Sequence, residues 1–469
     1  MGDAGNQVKS QTSGTMGANG VSRQKPNNMN GPLYMQSARA SNVVLVRRSR
    51  RKEDSGLKQF GQWMIENQIG LAFNLIALLF LAHHFIPKAE PFTTKFFTLA
   101  YYNAETGKYG HGVDDGYLLA FFVLFFTGVR ASTMEYGLAP FAKSLGIRKT
   151  KPLTRFSEQG WMVVYYTVSW VLGLYIYFKS DYFFDLRGIW THWPSREVDG
   201  LMKFYILAQS GIWVQQIVVL NIEERRKDHW QMLAHHFITC GLLFSCYTYG
   251  HTPVGHVILV VMDVTDIFLS LAKCLKYAGF TTICDVTFGV FMLSWVVFRH
   301  IFYNLVCWSI YKYTPEIMPT GCFRGANNSL EGPLPTPSGY RYLLEPFFDS
   351  EGLVCYNETV KWAFLTPLLI LQGLTIAWFV LVIRVAVKVL SGANAEEVRS
   401  DDEGDEEEEE YIYEEPLETE VGVDEIDLKS WERRTGVKRG SSATSGVSLP
   451  GHSDRKELLG RIGCEKQVE

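Results

Sequence analysis

Two adjacent histidines, His235 and His236, lie inside one hydrophobic stretch, and the next such stretch carries Asp263 and Asp266. A charged side chain at mid-bilayer costs roughly 2.5–3.5 kcal/mol on insertion scales, so ionisable groups there face a protein interior or a watery cavity. Asp263 and Asp266 are three apart, which on a helix projects both from one face toward a shared cavity. The histidines differ by about 100° around their helix, so one can enter that cavity while the other meets a neighbouring helix or a backbone carbonyl. An imidazole with an ordinary pKa of about 6.5 takes a proton near neutrality, and an adjacent carboxylate selects its tautomer and stabilises the imidazolium. That is equipment for acyl transfer. The plainer reading is four buried polar groups pairing to hold helices together; four on consecutive stretches favour chemistry.

Other chemistries lack their sequence marks. There is no His-Glu-x-x-His box, no histidine pair at i, i+4 and no histidine box of the membrane di-iron oxidases, so no metal and no cofactor are expected. A Gly-x-Ser-x-Gly elbow, a Walker loop and a Gly-x-Gly-x-x-Gly fingerprint are also missing. Among the remaining polar residues in apolar stretches, Arg299 could meet a phosphate or a carboxylate, and His300, Asn304 and Gln372 could lean into the same cavity; a helix–helix hydrogen bond accounts for each equally well. Arg225, Arg226 and Lys227, just before the histidine stretch, could attract the phosphates of a nucleotide-bearing thioester, although as topology-setting charges they need no further purpose.

The elements that must position these groups are membrane helices. The chain has 469 residues, 47% of them hydrophobic, and the apolar residues concentrate in its centre. About 20 apolar residues cross the hydrocarbon core, and eight crossings are expected at 69–86, 117–136, 160–178, 202–220, 232–249, 254–275, 282–306 and 362–389. The fold class is therefore an all-α polytopic membrane protein. Residues 1–56 read as a disordered cytosolic region, 57–152 as an interfacial segment with the first two crossings, 153–390 as a six-helix domain with a lumenal loop at 308–361, and 391–469 as an acidic disordered tail. No cleavable signal peptide is visible, so the first crossing serves as the targeting signal. Basic clusters place both termini in the cytosol if eight crossings alternate. The long loop then faces the lumen. It holds two glycosylation sequons, at Asn327 and Asn357, and two cysteines, Cys322 and Cys355, that would pair in an oxidising compartment. In the tail, Ser400 precedes Asp401-Asp402-Glu403, a context suited to an acidophilic kinase.

The run Glu224-Arg225-Arg226-Lys227-Asp228-His229-Trp230-Gln231-Met232-Leu233-Ala234-His235-His236, continuing through Gly250-His251 to Met262-Asp263-Val264-Thr265-Asp266 and Ala272-Lys273, resembles the long signature of ceramide synthases. These are the longevity-assurance branch of the TLC-domain superfamily, and the likeness is to its fungal members. It extends from Arg155-Phe156-Ser157-Glu158-Gln159 to Leu371-Gln372, roughly half the chain. The resemblance implies six helices forming a barrel around a lipid cavity. It implies an endoplasmic reticulum enzyme that joins the acyl group of an acyl-CoA, of very long chain, to the amine of a sphingoid base, giving dihydroceramide or phytoceramide. It also implies that His235, His236, Asp263 and Asp266 are essential. A small single-pass accessory subunit and homodimers or heterodimers with a paralogue are in keeping with it. The Gly137–Thr154 connection is too short for the homeobox-like module of some animal members, so no nucleic-acid partner is expected. Two other classes use the same groups: a nonenzymatic lipid sensor of TLC type, and a lipid transporter with a proton relay.

Overall fold

The computed structural model describes residues 33–34, 45–46, 56–222, 228–326 and 329–391. Strands β1 (Leu33–Tyr34) and β2 (Leu45–Val46) pair antiparallel; the rest of the N-terminal region read as disordered, and the tail with Ser400, lie outside the described residues. A short helix, α1 (Gly56–Glu66), precedes the first long apolar one, α2 (Gln68–Phe85). α3 (Asp115–Ser132) passes through a π-wound turn, Thr133–Leu138, into α4 (Ala139–Ser144). Then follow α5 (Thr150–Lys179), α6 (Gly200–Ile222), α7 (His229–Thr248), α8 (Thr252–Tyr277) and α9 (Thr281–Ser294). α9 runs through a second π-wound segment, Trp295–Phe302, into α10 (Tyr303–Lys312), and α11 (Glu358–Leu390) ends the described chain.

Among the described residues, seven helices are long and apolar enough to cross a membrane, so the chain is a multi-pass membrane protein. The expected count was eight. The difference is α7, a 20-residue helix whose first half carries His229, Gln231, His235 and His236. It nevertheless runs along the bundle: the His235 ring meets Trp378 of α11, whereas Tyr249, just past its other end, meets Phe364 of α11. Fourteen residues of helix at about 1.5 Å each separate those contacts, about 21 Å.

Close approaches set the packing. α5 lies along α8, α3 along both α2 and α6, and α6 along α7. A Cβ on Gly173 would stand 2.7 Å from the Tyr205 hydroxyl and 2.8 Å from Val260, and one on Gly211 would stand 2.6 Å from the Phe122 Cβ. A buried ion pair ties three helices at one end: Lys203 Nζ lies 2.7 Å from Asp115 Oδ1, the side chains 0% and 5% exposed. Lys203 also donates to the carbonyls of Ala100 and Gly110, while Asp115 accepts from the Tyr247 hydroxyl and the Gly112 amide. Every donor and acceptor of the pair is thus engaged, which a buried charge requires.

The expected loop 308–361 is shorter than that and is folded. α10 continues to Lys312, where Thr314-Pro315 starts a separate turn, and α11 begins at Glu358 because Asn357 caps it: Asn357 Oδ1 accepts the Val360 amide at 2.9 Å. Between them, β3 (Gly321–Arg324), β4 (Glu331–Leu334) and β5 (Val354–Tyr356) form an antiparallel sheet in the order β4-β3-β5. Cys322 and Cys355 stand opposite each other in this sheet and are joined by a disulfide. Arg196 stitches the cap from inside, donating to the carbonyls of Ser350, Phe323 and Gly352. Trp193 packs on Phe323 and Tyr356 and donates to the Tyr249 carbonyl.

Candidate active site

The three-residue link Tyr249-Gly250-His251 makes α7 and α8 antiparallel neighbours. Gly250 has φ +71°, and a Cβ there would lie 2.3 Å from the Ser195 carbonyl oxygen, so the turn needs glycine. The hairpin sets the first half of α7, with His235, beside the second half of α8, with Asp263 and Asp266. A cavity holding about 1120 Å³ of empty space, its mouth included, runs between α7, α8, α10 and α11. His235, Asp263, Asp266 and Arg299 all line it, together with Trp213 and Thr375. The opposite end is bounded by Met318, Tyr356 and Val360 at the disulfide-bonded cap. From Lys361 to Thr375 the wall formed by α11 rises about 21 Å.

The two carboxylates have different partners. Asp263 is 2% exposed, and its Oδ2 accepts from Ser169 Oγ on α5 at 2.9 Å and from Gln209 Nε2 on α6 at 3.1 Å. Gln209 is itself fixed, meeting Ser169 Oγ, the Tyr205 hydroxyl and the Tyr165 hydroxyl. Asp266 is paired with Arg299, whose Nη2 lies 2.7 Å from Asp266 Oδ2 and whose Nε donates to Thr265 Oγ1 at 2.8 Å. Arg299 also lies over the Trp295 ring at 4.3 Å. The π-wound segment that carries Arg299 interrupts the regular i→i+4 ladder, an irregularity frequent at functional sites.

The two histidines part company. The His235 ring lines the cavity, edge-on to Trp213 and Trp378 at 5.7 and 5.4 Å. His236 is 4% exposed and turns away from it: Nδ1 donates to the Met232 carbonyl at 2.7 Å, and Nε2 meets the Gln216 side-chain amide at 3.0 Å. Its ring centroid is 5.7 Å from that of His235 and 5.2 Å from that of Trp213, so it buttresses the cavity wall that carries His235 from behind.

Of the other residues singled out in the sequence, Gln372 is withdrawn from the cavity: its Nε2 meets His300 Nδ1 at 3.0 Å and its Oε1 accepts from Thr375. It joins two helices. Asn357 has its amide engaged twice, as the cap of α11 and as a donor to the Tyr342 hydroxyl at 3.0 Å. Asn327, Arg225, Arg226 and Lys227 lie outside the described residues. No group of three His, Cys, Asp or Glu side chains suited to a metal ion occurs among the described residues. The sequence reading missed Ser169 and Gln209, although the rule that singled out the histidines, a polar side chain inside an apolar crossing, applies to Gln209 as well.

A bundle of apolar helices around an internal cavity, with histidine and carboxylates on one wall, provides the parts that acyl transfer to a lipid in a membrane would need. The family model described as TLC domain matches residues 155–384. Ceramide Synthase FUM18 of Gibberella moniliformis is 43% identical over 396 residues, which cover 84% of this chain and 90% of that relative. Sphingosine N-acyltransferase lag1 of Schizosaccharomyces pombe is 37% identical over 357 residues, 76% of this chain and 85% of the relative, and the sphingosine N-acyltransferase-like protein ALT7 of Alternaria alternata is 41% identical over 359 residues, 75% and 80%. The chain therefore belongs to the ceramide synthase family of acyltransferases, a branch of the TLC-domain membrane proteins.

Proposed function

We propose that this protein is a ceramide synthase of the endoplasmic reticulum membrane, transferring a fatty acyl group from acyl-CoA to the amine of a sphingoid base. The observation that carries the reading is the convergence of His235, Asp263, Asp266 and Arg299 on one end of a long, largely apolar cavity. A thioester is already activated, so the protein must supply a neutral amine, a fixed approach and help for the oxyanion and the leaving thiolate. The amine nitrogen attacks the thioester carbonyl, the C–S bond breaks, and the proton shed by nitrogen passes to His235 and from there to the departing thiolate. Arg299, held beside Asp266, supplies positive charge near the developing oxyanion. Asp263, fixed by Ser169 and Gln209, keeps a carboxylate on the wall facing His235. A covalent route, with His235 Nε2 or Nδ1 first taking the acyl group and releasing CoA, uses the same residues.

The apolar length of the cavity suits a long acyl chain. Each methylene buried contributes up to about 0.8 kcal/mol, so a very-long-chain substrate gains affinity from filling it. The basic triplet Arg225-Arg226-Lys227, a few residues upstream of His229 in sequence, suits the phosphates of CoA on the cytosolic side, and an even number of crossings places both termini there.

The test is turnover by the purified protein given sphinganine and acyl-CoAs of graded length, read by product mass. Ceramide formation that His235→Ala and Asp263→Asn abolish supports the reading; lipid binding without product refutes it. Incubation with acyl-CoA alone, followed by intact-mass analysis, separates the two routes: an added acyl mass that His235→Ala removes marks the covalent one.

A further inference from the structure

The cavity has a second polar group, far from the first. His251 lines it and is 7% exposed. It is enclosed by rings: Phe364 edge-on at 5.0 Å, Trp190 edge-on at 6.1 Å, and Trp193 and Tyr249 stacked at 6.1 and 6.3 Å. Its backbone amide bonds to the Cys246 carbonyl, but its imidazole makes no hydrogen bond among the described residues. The other polar side chains around this half are committed. Thr314 donates to the Ile310 carbonyl and accepts from the Tyr356 hydroxyl, Lys361 is paired with Glu358 at 2.6 Å, and the Tyr303 hydroxyl donates to the Leu368 carbonyl. A buried polar group left without a partner is costly, and a cavity wall is the one place where a ligand can supply that partner.

The position restricts the ligand. His251 precedes Asp263 by twelve residues along α8, about 18 Å of helix at 1.5 Å per residue. An extended chain advances about 1.2 Å per bond, so a hydroxyl reaching His251 lies about fifteen bonds from a carbonyl held at the His235 end. The amine and hydroxyls of a sphingoid base are adjacent to the reacting nitrogen and cannot span that distance. The geometry points to His251 as a subsite for a hydroxyl on the distal part of a long acyl chain, an inference that rests on the acyltransferase reading above. Burial pushes the His251 imidazole down to about 4, so at neutral pH it is uncharged, with one N–H to donate and one lone pair to accept. A hydroxyl satisfies either.

The experiment uses the full-length protein in lipid nanodiscs and two acyl-CoAs of equal length, one plain and one hydroxylated about fifteen bonds from the thioester carbonyl. The ratio of their kcat/KM values is the readout, since it cancels any general loss of activity. We expect the hydroxylated chain to be favoured about fivefold, the net effect of one hydrogen bond. His251→Phe should bring the ratio to one or below, and His251→Gln, which can still hydrogen-bond, should keep part of the preference. A wild-type ratio of one, or a preference unchanged in His251→Phe, overturns the subsite. Equilibrium binding of the two non-reactive thioether analogues is measured in parallel. Absence of product from both chains would sink the acyltransferase reading, while the binding ratio would still decide whether His251 selects the hydroxyl.

Discussion

At one end of the cavity, His235, Asp263 and Arg299 come from three separate segments; side-chain hydrogen bonds to Ser169, Gln209 and Thr265 and the Asp266 ion pair set the places of Asp263 and Arg299, and the rings of Trp213 and Trp378 flank His235. At the other end the wall is held by main-chain and covalent bonds: the β4-β3-β5 sheet, the Cys322–Cys355 disulfide and three carbonyls gripped by Arg196. The first arrangement sets the orientation of polar groups; the second closes the cavity. Substitutions at the reactive end should therefore cost chemistry before stability, and substitutions at the cap the reverse.

The sharpest break would come from His235→Ala, for which we expect acyl transfer to fall about 10³-fold with the thermal unfolding midpoint little changed. A large drop in that midpoint would show that His235 serves mainly as packing between Trp213 and Trp378. At the cap, Cys322→Ser should lower stability by about 3–4 kcal/mol, the chain-entropy value for a loop of this length, given a separation of 33 residues. Unfolding with and without reductant checks it: reductant should lower the stability of the unaltered chain by a similar amount and leave that of the variant unchanged.

Acid should act on the cap end next. The folded chain holds His251 at about 4, whereas an unfolded histidine titrates near 6.5, so between those values the unfolded state binds the extra proton. This contribution to stability is full above about pH 6.5 and is lost as pH falls, by about 2 kcal/mol from pH 7 to pH 5. His251→Gln should flatten that part of the stability profile; an unchanged slope would contradict it. The smallest effect is expected at Asn357, where loss of the helix cap in Asn357→Ala should cost about 1 kcal/mol and Asn357→Asp should retain most of it, as measured by denaturant or thermal unfolding.

The reactive end was legible in the sequence to the extent that it follows from helix periodicity. The angular offset of His235 and His236 already required different surroundings for the two rings, and the three-residue spacing of Asp263 and Asp266 required a common face. What periodicity cannot give is the partner on another helix, since the contacts of Asp263 with Ser169 and Gln209 each span more than fifty residues of sequence. Gln372 shows the converse: a glutamine in an apolar crossing looks available until the His300 ring is placed against it. The cap was the least legible region. Its two cysteines could be paired from the sequence, but the sheet around them, the hold of Arg196 from a distant loop and the packing of Trp193 leave no local pattern. α7 lay between these cases: the sequence marked it as a crossing at 232–249, yet its first half is too polar for it to stand with the seven helices that are long and apolar enough to cross a membrane.

The π-wound stretch Trp295–Phe302 fits one residue more into its turn than an α-helix would. Deleting a single residue within it would restore ordinary winding and leave the helices on either side close to their present orientation, whereas the same deletion in a regular helix would swing everything beyond it by about 100°. Tyr303, past the stretch, would keep its bond to the Leu368 carbonyl, but Arg299, inside it, would be redirected away from Asp266. A one-residue deletion here would thus strip the cavity of one cation while sparing the greasy bore beneath it.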